Sequence, residues 1–257
     1  MSVNNKKNAS TIISASWIFT SNSKNELLSD YSIVIKNDKI IDLVSQDEVF
    51  EKYEANEVYQ LTDHIITPGL INAHSHVAMS LFKGFADDLP LQDWLNNYIW
   101  PAEKKFVNSQ FVKEGSILAL SEMIKSGVTT FNDMYFFPNI SAEASIDAGI
   151  RAVIGLIAIN IPTSWANNDE EYLTKGIGIH DTYKHNPLIN TAFAPHAPYT
   201  VSNESLKKIA FLAEELDIPV HMHIHETNDE IKQSIKEHGK RPLQRLDELG
   251  LLSSRLM

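Results

Sequence analysis

The sequence predicts an α/β fold in two parts: a small β domain over residues 1–63 and, over residues 64–257, a parallel sheet assembled from βα units. Three observations carry this. Before residue 64, "TIISASWIF", "YSIVIKNDKIIDLV" and "NEVYQL" alternate apolar and polar residues around turn signals such as "KND", the pattern of short, half-buried antiparallel strands. After it, short continuous apolar runs alternate with helical segments, as strands covered on both faces do. Histidines, finally, gather where the second set of strands would end.

Taken in order, the first parallel strand is expected over about 64–73, "HIITPGLINA", a buried run that ends against His74 and His76. An amphipathic helix follows near 109–126, stopped by Gly127. The second strand is "VTTFNDMY", then a short helix "ISAEASIDAG" closing on Gly149, then a third strand "IRAVIGLIAI". A helix near 170–185 leads to the fourth strand "LINTAFA", capped by "PHAPYT". "SNESLKKIAFLAEELD" is a helix with Ser202 or Asn203 as N-cap, the fifth strand is "IPVHMHIHE", and the remainder is helical. That makes five βα units, with no internal repeat and no low-complexity linker.

Composition narrows the function. The net charge of −11 argues against nucleic acid or an acidic membrane surface, which clustered Lys and Arg would meet, and leaves a small molecule as the expected ligand. With no cysteine, thiolate metal sites and Cys nucleophiles are excluded, so any metal must be held by His, Asp or Glu. Neither a signal-peptide core nor an apolar run of about 18 residues is visible, and a cytoplasmic location is expected.

The histidines supply the chemistry. Residues i and i+2 of a strand share a face, so His74 and His76 aim at one point, and His221, His223 and His225 repeat the spacing on strand five. His196 follows strand four. In a βα barrel these C-terminal strand ends form the active face. A hydrogen-bonded pair is the bland account of "HSH", and half-buried alternation that of "HMHIH"; together they point to a metal. Several His nitrogens with a carboxylate or open water position and no thiolate fit zinc ahead of ferrous iron or manganese.

The motifs "TPGLINAHSH", "GFADDLPLQDWLNNYIWPAE", "GVTTFNDM", "APHAPYTVS" and "HMHIHET" resemble the amidohydrolase superfamily, and within it the branch of 5'-methylthioadenosine/S-adenosylhomocysteine deaminases and related aminohydrolases. The resemblance runs from about residue 10 to the end. It implies a TIM-like (β/α)8 metal-dependent hydrolase barrel with a small β-sandwich domain, one zinc per chain, and hydrolytic deamination of a purine nucleoside with release of ammonia. His74, His76 and His223 become metal ligands, Glu226 the proton-shuttling acid, and Glu103 and His196 contacts to the nucleoside, Glu103 at the ribose hydroxyls. His221 and His225 are left as neighbours that could orient a ligand.

The strand-four segment has no lysine to bridge a second metal, so a single metal is expected. Related hydrolases that act on guanine or remove chloride from triazines are the alternative activities. No arginine stands between strands three and four to hold a carboxylate tail, which favours the uncharged methylthio substrate. Relatives of this kind are usually oligomeric. The family also carries three further strands, with a histidine on the sixth and an aspartate on the eighth, and this chain stops before them. A truncated polypeptide, and with it an inactive fragment, is the remaining expectation.

Overall fold

The computed structural model describes residues 6–257. It divides into two compact units, one ending at Gly69 and the other beginning at Leu70.

The first unit is a four-stranded sheet of β1 (Lys7–Phe19), β2 (Leu27–Lys36), β3 (Lys39–Ser45) and β4 (Tyr53–Ile66), ordered β3-β2-β1-β4. The β1–β2 and β2–β3 pairs are antiparallel, as the alternation predicts. The β1–β4 pair is parallel, from Lys7 opposite Tyr53 to Ile18 opposite Ile66. A parallel pair needs a crossover, and here β2, β3 and a short helix α1 (Gln46–Lys52) carry the chain back to the start of β1. Val49 of that helix is fully buried and packs with Ile12, Val34 and Val44 to form the unit's core.

The strand expected over 64–73 is really two pieces, and the division expected after residue 63 falls after Gly69. Residues 64–66 complete β4, so His64 lies exposed on that strand, its Nδ1 against the Thr62 carbonyl at 2.6 Å. Pro68 has no N–H to give a ladder, which explains the break before the second unit opens with β5 (Leu70–Ser75).

The second unit is a parallel sheet ordered β5-β6-β7-β8, with β6 (Val128–Asp133), β7 (Arg151–Ala158) and β8 (Ile189–Pro195). Helices α4 (Ser109–Lys125), α5 (Pro138–Ala148), α6 (Asp169–Tyr183) and α7 (Asn203–Glu215) alternate with the strands. Helices α8 (Asn228–His238) and α9 (Pro242–Glu248) follow. Polar side chains start four of these helices, α4, α6, α7 and α8: Asn108, Asn168, Ser202 and Thr227 each accept the N–H three residues on. Phe131, Ile154, Leu156, Phe193, Leu206 and Leu246 are the fully buried centre of the packing. Between β5 and α4 lie a 3-10 turn (Val77–Phe82), α2 (Leu91–Trp94), a π-helical turn (Leu95–Ile99) and α3 (Trp100–Phe106). Among the described residues no helix is long and apolar enough to cross a membrane.

Two features of the sheet depart from expectation. β5 is not a strand buried on both sides: it is the sheet edge, and Leu70 and Ile71 are 59% and 72% exposed. The fifth strand is reduced to a bridge at Val220, which pairs in parallel with Phe193 and, on its other side, with Leu256. Phe193 donates to the Pro219 carbonyl at 2.9 Å and accepts from His221 at 2.8 Å. The next rung would need an N–H from position 195, which is proline, so the ladder stops and 222–226 follow their own course.

Candidate metal centre

His74 is the penultimate residue of β5, and His76 follows the strand as the residue before the 3-10 turn. The period of two holds: the rings meet edge to face, centroids 4.8 Å apart. His223 arrives from the segment beside β8, held by its own N–H to the His196 carbonyl at 3.2 Å. Its Nε2 lies 3.1 Å from His74 Nε2 and 3.2 Å from His76 Nε2. Among the described residues these three form the one His/Asp/Glu group close enough to share an ion.

Hydrogen bonding fixes which nitrogens face inward. His76 Nδ1 stands 2.5 Å from the Met134 carbonyl and His223 Nδ1 2.9 Å from the His196 carbonyl. A carbonyl only accepts, so both Nδ1 atoms carry the proton and, in the neutral rings, both Nε2 atoms hold lone pairs. Burial pushes His76 down to about 4, so that ring is neutral at ordinary pH; burial and then the neighbouring His223 lower His74. Two lone pairs facing each other at 3.2 Å repel unless an electrophile lies between them. Nitrogens bound to one tetrahedral zinc at about 2.0–2.1 Å stand about 3.3–3.4 Å apart, so the observed spacing fits a zinc-sized cation.

His221, 4% exposed, turns its Nε2 to His74 Nδ1 at 2.8 Å, while its own Nδ1 is buried with no partner among the described residues. With the proton on His74 Nδ1, the third Nε2 lone pair also points inward, the arrangement expected of an orienting neighbour. His225 takes no part: it is exposed, with left-handed backbone (φ 58°).

The other anticipated residues surround this centre. The His196 ring lies 5.2 Å from that of His223, its Nδ1 2.9 Å from Thr200 Oγ1, and burial lowers it to about 3. Glu103, on α3, accepts from the Tyr135 hydroxyl at 2.8 Å, and burial raises it to about 7. Tyr135 is itself buried, its ring 6.4 Å from that of His76, so it links Glu103 to the centre. Glu226 lies on the exposed segment before α8, where the Tyr199 hydroxyl donates to its Oε2 at 3.0 Å; its charge reaches His74 and opposes the lowering there.

Several participants escape sequence reasoning. Tyr135 and Tyr199 carry no role in the sequence reading beyond lying in the segments "VTTFNDMY" and "PHAPYT". Asp133 ends β6 fully buried and accepts the Val77 N–H at 2.9 Å, fixing the turn just after His76; burial raises it to about 6. The carboxylate in "FND", at the end of an apolar strand, was the available signal.

A parallel α/β sheet with imidazole nitrogens gathered at its C-terminal strand ends places the second unit in the TIM-barrel-like α/β class, with a donor set that could hold a metal. The comparisons narrow this further. The chain belongs to the Amidohydrolase family, whose profile matches residues 65–257. A 5-methylthioadenosine/S-adenosylhomocysteine deaminase of Saccharophagus degradans is 47% identical over 248 residues, covering 96% of this chain and 56% of the relative. One of the same name from Teredinibacter turnerae is 46% identical, with 94% and 54% covered. An adenosine deaminase from Xanthomonas campestris, solved with bound zinc, superposes with a TM-score of 0.96 at 38% identity, covering 98% of this chain and 57% of that one. The chain thus spans little more than half the length of these relatives.

Proposed function

We propose that this polypeptide carries the metal-binding and proton-transfer part of a zinc-dependent aminohydrolase that deaminates a purine nucleoside such as 5'-methylthioadenosine. The convergence of His74, His76 and His223 on one point, with inward lone pairs, is the observation that carries the reading. These three residues would hold one zinc, and a bound zinc supplies Lewis acidity that brings water's pKa down to about 7.

The remaining chemistry belongs to side chains. Deamination adds water at the amino-bearing ring carbon, protonates the adjacent ring nitrogen, and breaks the carbon–nitrogen bond so that ammonia leaves and a carbonyl remains. Each water proton must be carried, one to the ring nitrogen and one to the departing amine. Glu226, tied to Tyr199 and with its charge acting on His74, is suited to accept and return them. Glu103, raised to about 7, is divided between its two forms near neutral pH and can donate to or accept from a ribose hydroxyl. His196, kept neutral by burial, offers a further polar contact to the nucleoside.

The same reading takes the second unit as the first part of a (β/α)8 barrel and the first as part of a small β-sandwich. A homo-oligomeric assembly and a cytoplasmic location go with it. The 5' substituent is read as uncharged, because the loop after β7, "NIPTSWANNDEE", is acidic and apolar.

The test loads the protein with zinc and measures bound metal and ammonia released from 5'-methylthioadenosine, S-adenosylhomocysteine and guanine. One equivalent of zinc, with turnover highest on the methylthio nucleoside, is expected. Zinc binding with preference for guanine would overturn the substrate, and the absence of zinc binding would overturn the site.

A further inference from the structure

Glu230 occupies the third position of α8, three residues after the N-cap Thr227, the spacing at which a glutamate normally reaches back to the cap residue's own N–H. It does something else. Its Oε2 accepts the Glu226 N–H at 2.8 Å and its Oε1 the His225 N–H at 3.0 Å, one and two residues before the cap. Thr227 Oγ1 accepts the Glu230 N–H at 3.2 Å, and the carboxylate's residue is only 3% exposed. The segment it grips needs holding: His225 has φ 58°, a left-handed conformation that brings the Cβ close to the following carbonyl oxygen and is strained for any residue but glycine. No ladder bond is available there, because regular pairing with β8 has already ended.

We infer that Glu230 is a positioning residue: by fixing the 225–226 backbone with two charge-assisted hydrogen bonds, it directs the Glu226 carboxyl toward the three-histidine centre. Tyr199 then holds the far end of the same side chain, so Glu226 is fixed at both backbone and tip. Glutamine at position 230 keeps one acceptor but turns an amide NH2 toward the second N–H; alanine removes both acceptors. The consequence for turnover rests on the proton-transfer role proposed for Glu226; the contact itself does not.

The test therefore reads two quantities in the full 257-residue chain. Amide hydrogen exchange resolved at His225 and Glu226 should speed up about tenfold or more in Glu230→Ala and less in Glu230→Gln, while amides of β8 and α7 and the zinc content stay unchanged. Unaltered exchange at those two amides in both variants overturns the inference. Where turnover is measured, Glu230→Gln should lower kcat with KM nearly constant, and should cost little more when added to Glu226→Gln. A full additional loss in that double variant would show Glu230 acting apart from Glu226 and would also overturn it. If the unaltered protein turns over no nucleoside, the functional reading fails, and the exchange result still decides the role of Glu230.

Discussion

His76 shows how little freedom a side chain has at this centre: its Nδ1 is committed to Met134, its backbone exit to Asp133, and only Nε2 remains to face His223. Removing such a donor leaves a two-nitrogen site, so His74→Ala and His76→Ala should each lose most bound zinc on dialysis. Full occupancy in both variants would disprove the ligand assignment. Glu226→Gln should keep the metal and slow turnover by about two to four orders of magnitude, the range for losing a general acid or base; unchanged turnover would move that role elsewhere. Glu103 makes a prediction about pH. Its folded value of about 7 lies above the ordinary 4.5, so the folded protein binds the extra proton between those values. Stability from this group is complete below about 4.5 and declines as pH rises to about 7, by up to about 3 kcal/mol. Glu103→Gln should flatten that decline in denaturant unfolding measured from pH 4.5 to 7.5, and an equal slope in both proteins would contradict it. At this scale His74 and His76 were legible because the two-residue period of a strand projects directly onto one face, whereas the same spacing left His221, His223 and His225 undivided and only the family resemblance pointed to His223. Tyr135, Tyr199, Asp133 and Glu230 were not legible, since each acts across a sequence gap or through the backbone.

Among the elements, α4 approaches the 3-10 turn after His76 unusually closely. A Cβ at Gly115 would sit closer than 3.0 Å to the Ala78 carbonyl oxygen, Cα and carbonyl carbon. Alanine normally gains about 1 kcal/mol over glycine inside a helix, whereas overlap with fixed backbone costs about 1–3 kcal/mol. The overlap should win. Gly115→Ala is expected to lower the unfolding midpoint and loosen zinc binding by shifting the turn that directly follows His76; a stabilised variant would mean that the two elements separate freely. Most strands and helices of the second unit could be read from apolar runs closed by Gly127 and Gly149 and from the N-cap Ser202. Two elements could not. The parallel β1–β4 pair depends on a crossover that local alternation does not encode, and the fifth strand has suitable residues whose partner, Pro195, withholds the necessary N–H.

On the scale of the whole chain, the open side of the parallel sheet is the dominant physical feature. Among the described residues β5 pairs with β6 alone, leaving its other edge without a ladder partner. Beside it lies a groove of about 530 Å3, lined by Leu70, Ile71, Val77, Met123 and Val128, reaching His76 at one end and rimmed by the Lys83–Glu122 ion pair. Parallel strands are normally covered on both faces, and unpaired apolar edges are the places where chains add to one another. The 257-residue polypeptide on its own should therefore associate in a concentration-dependent way, with β5 and this groove at the contact. Burying one leucine is worth about 1.5–3 kcal/mol, so Leu70→Lys, which also places a charge on the edge, should weaken association by about tenfold or more without disturbing the imidazole centre. Sedimentation velocity over a range of concentrations, with zinc content measured in parallel, tests this. A strictly monomeric parent chain, or association untouched by Leu70→Lys, would show that the exposed edge is not where the chains meet.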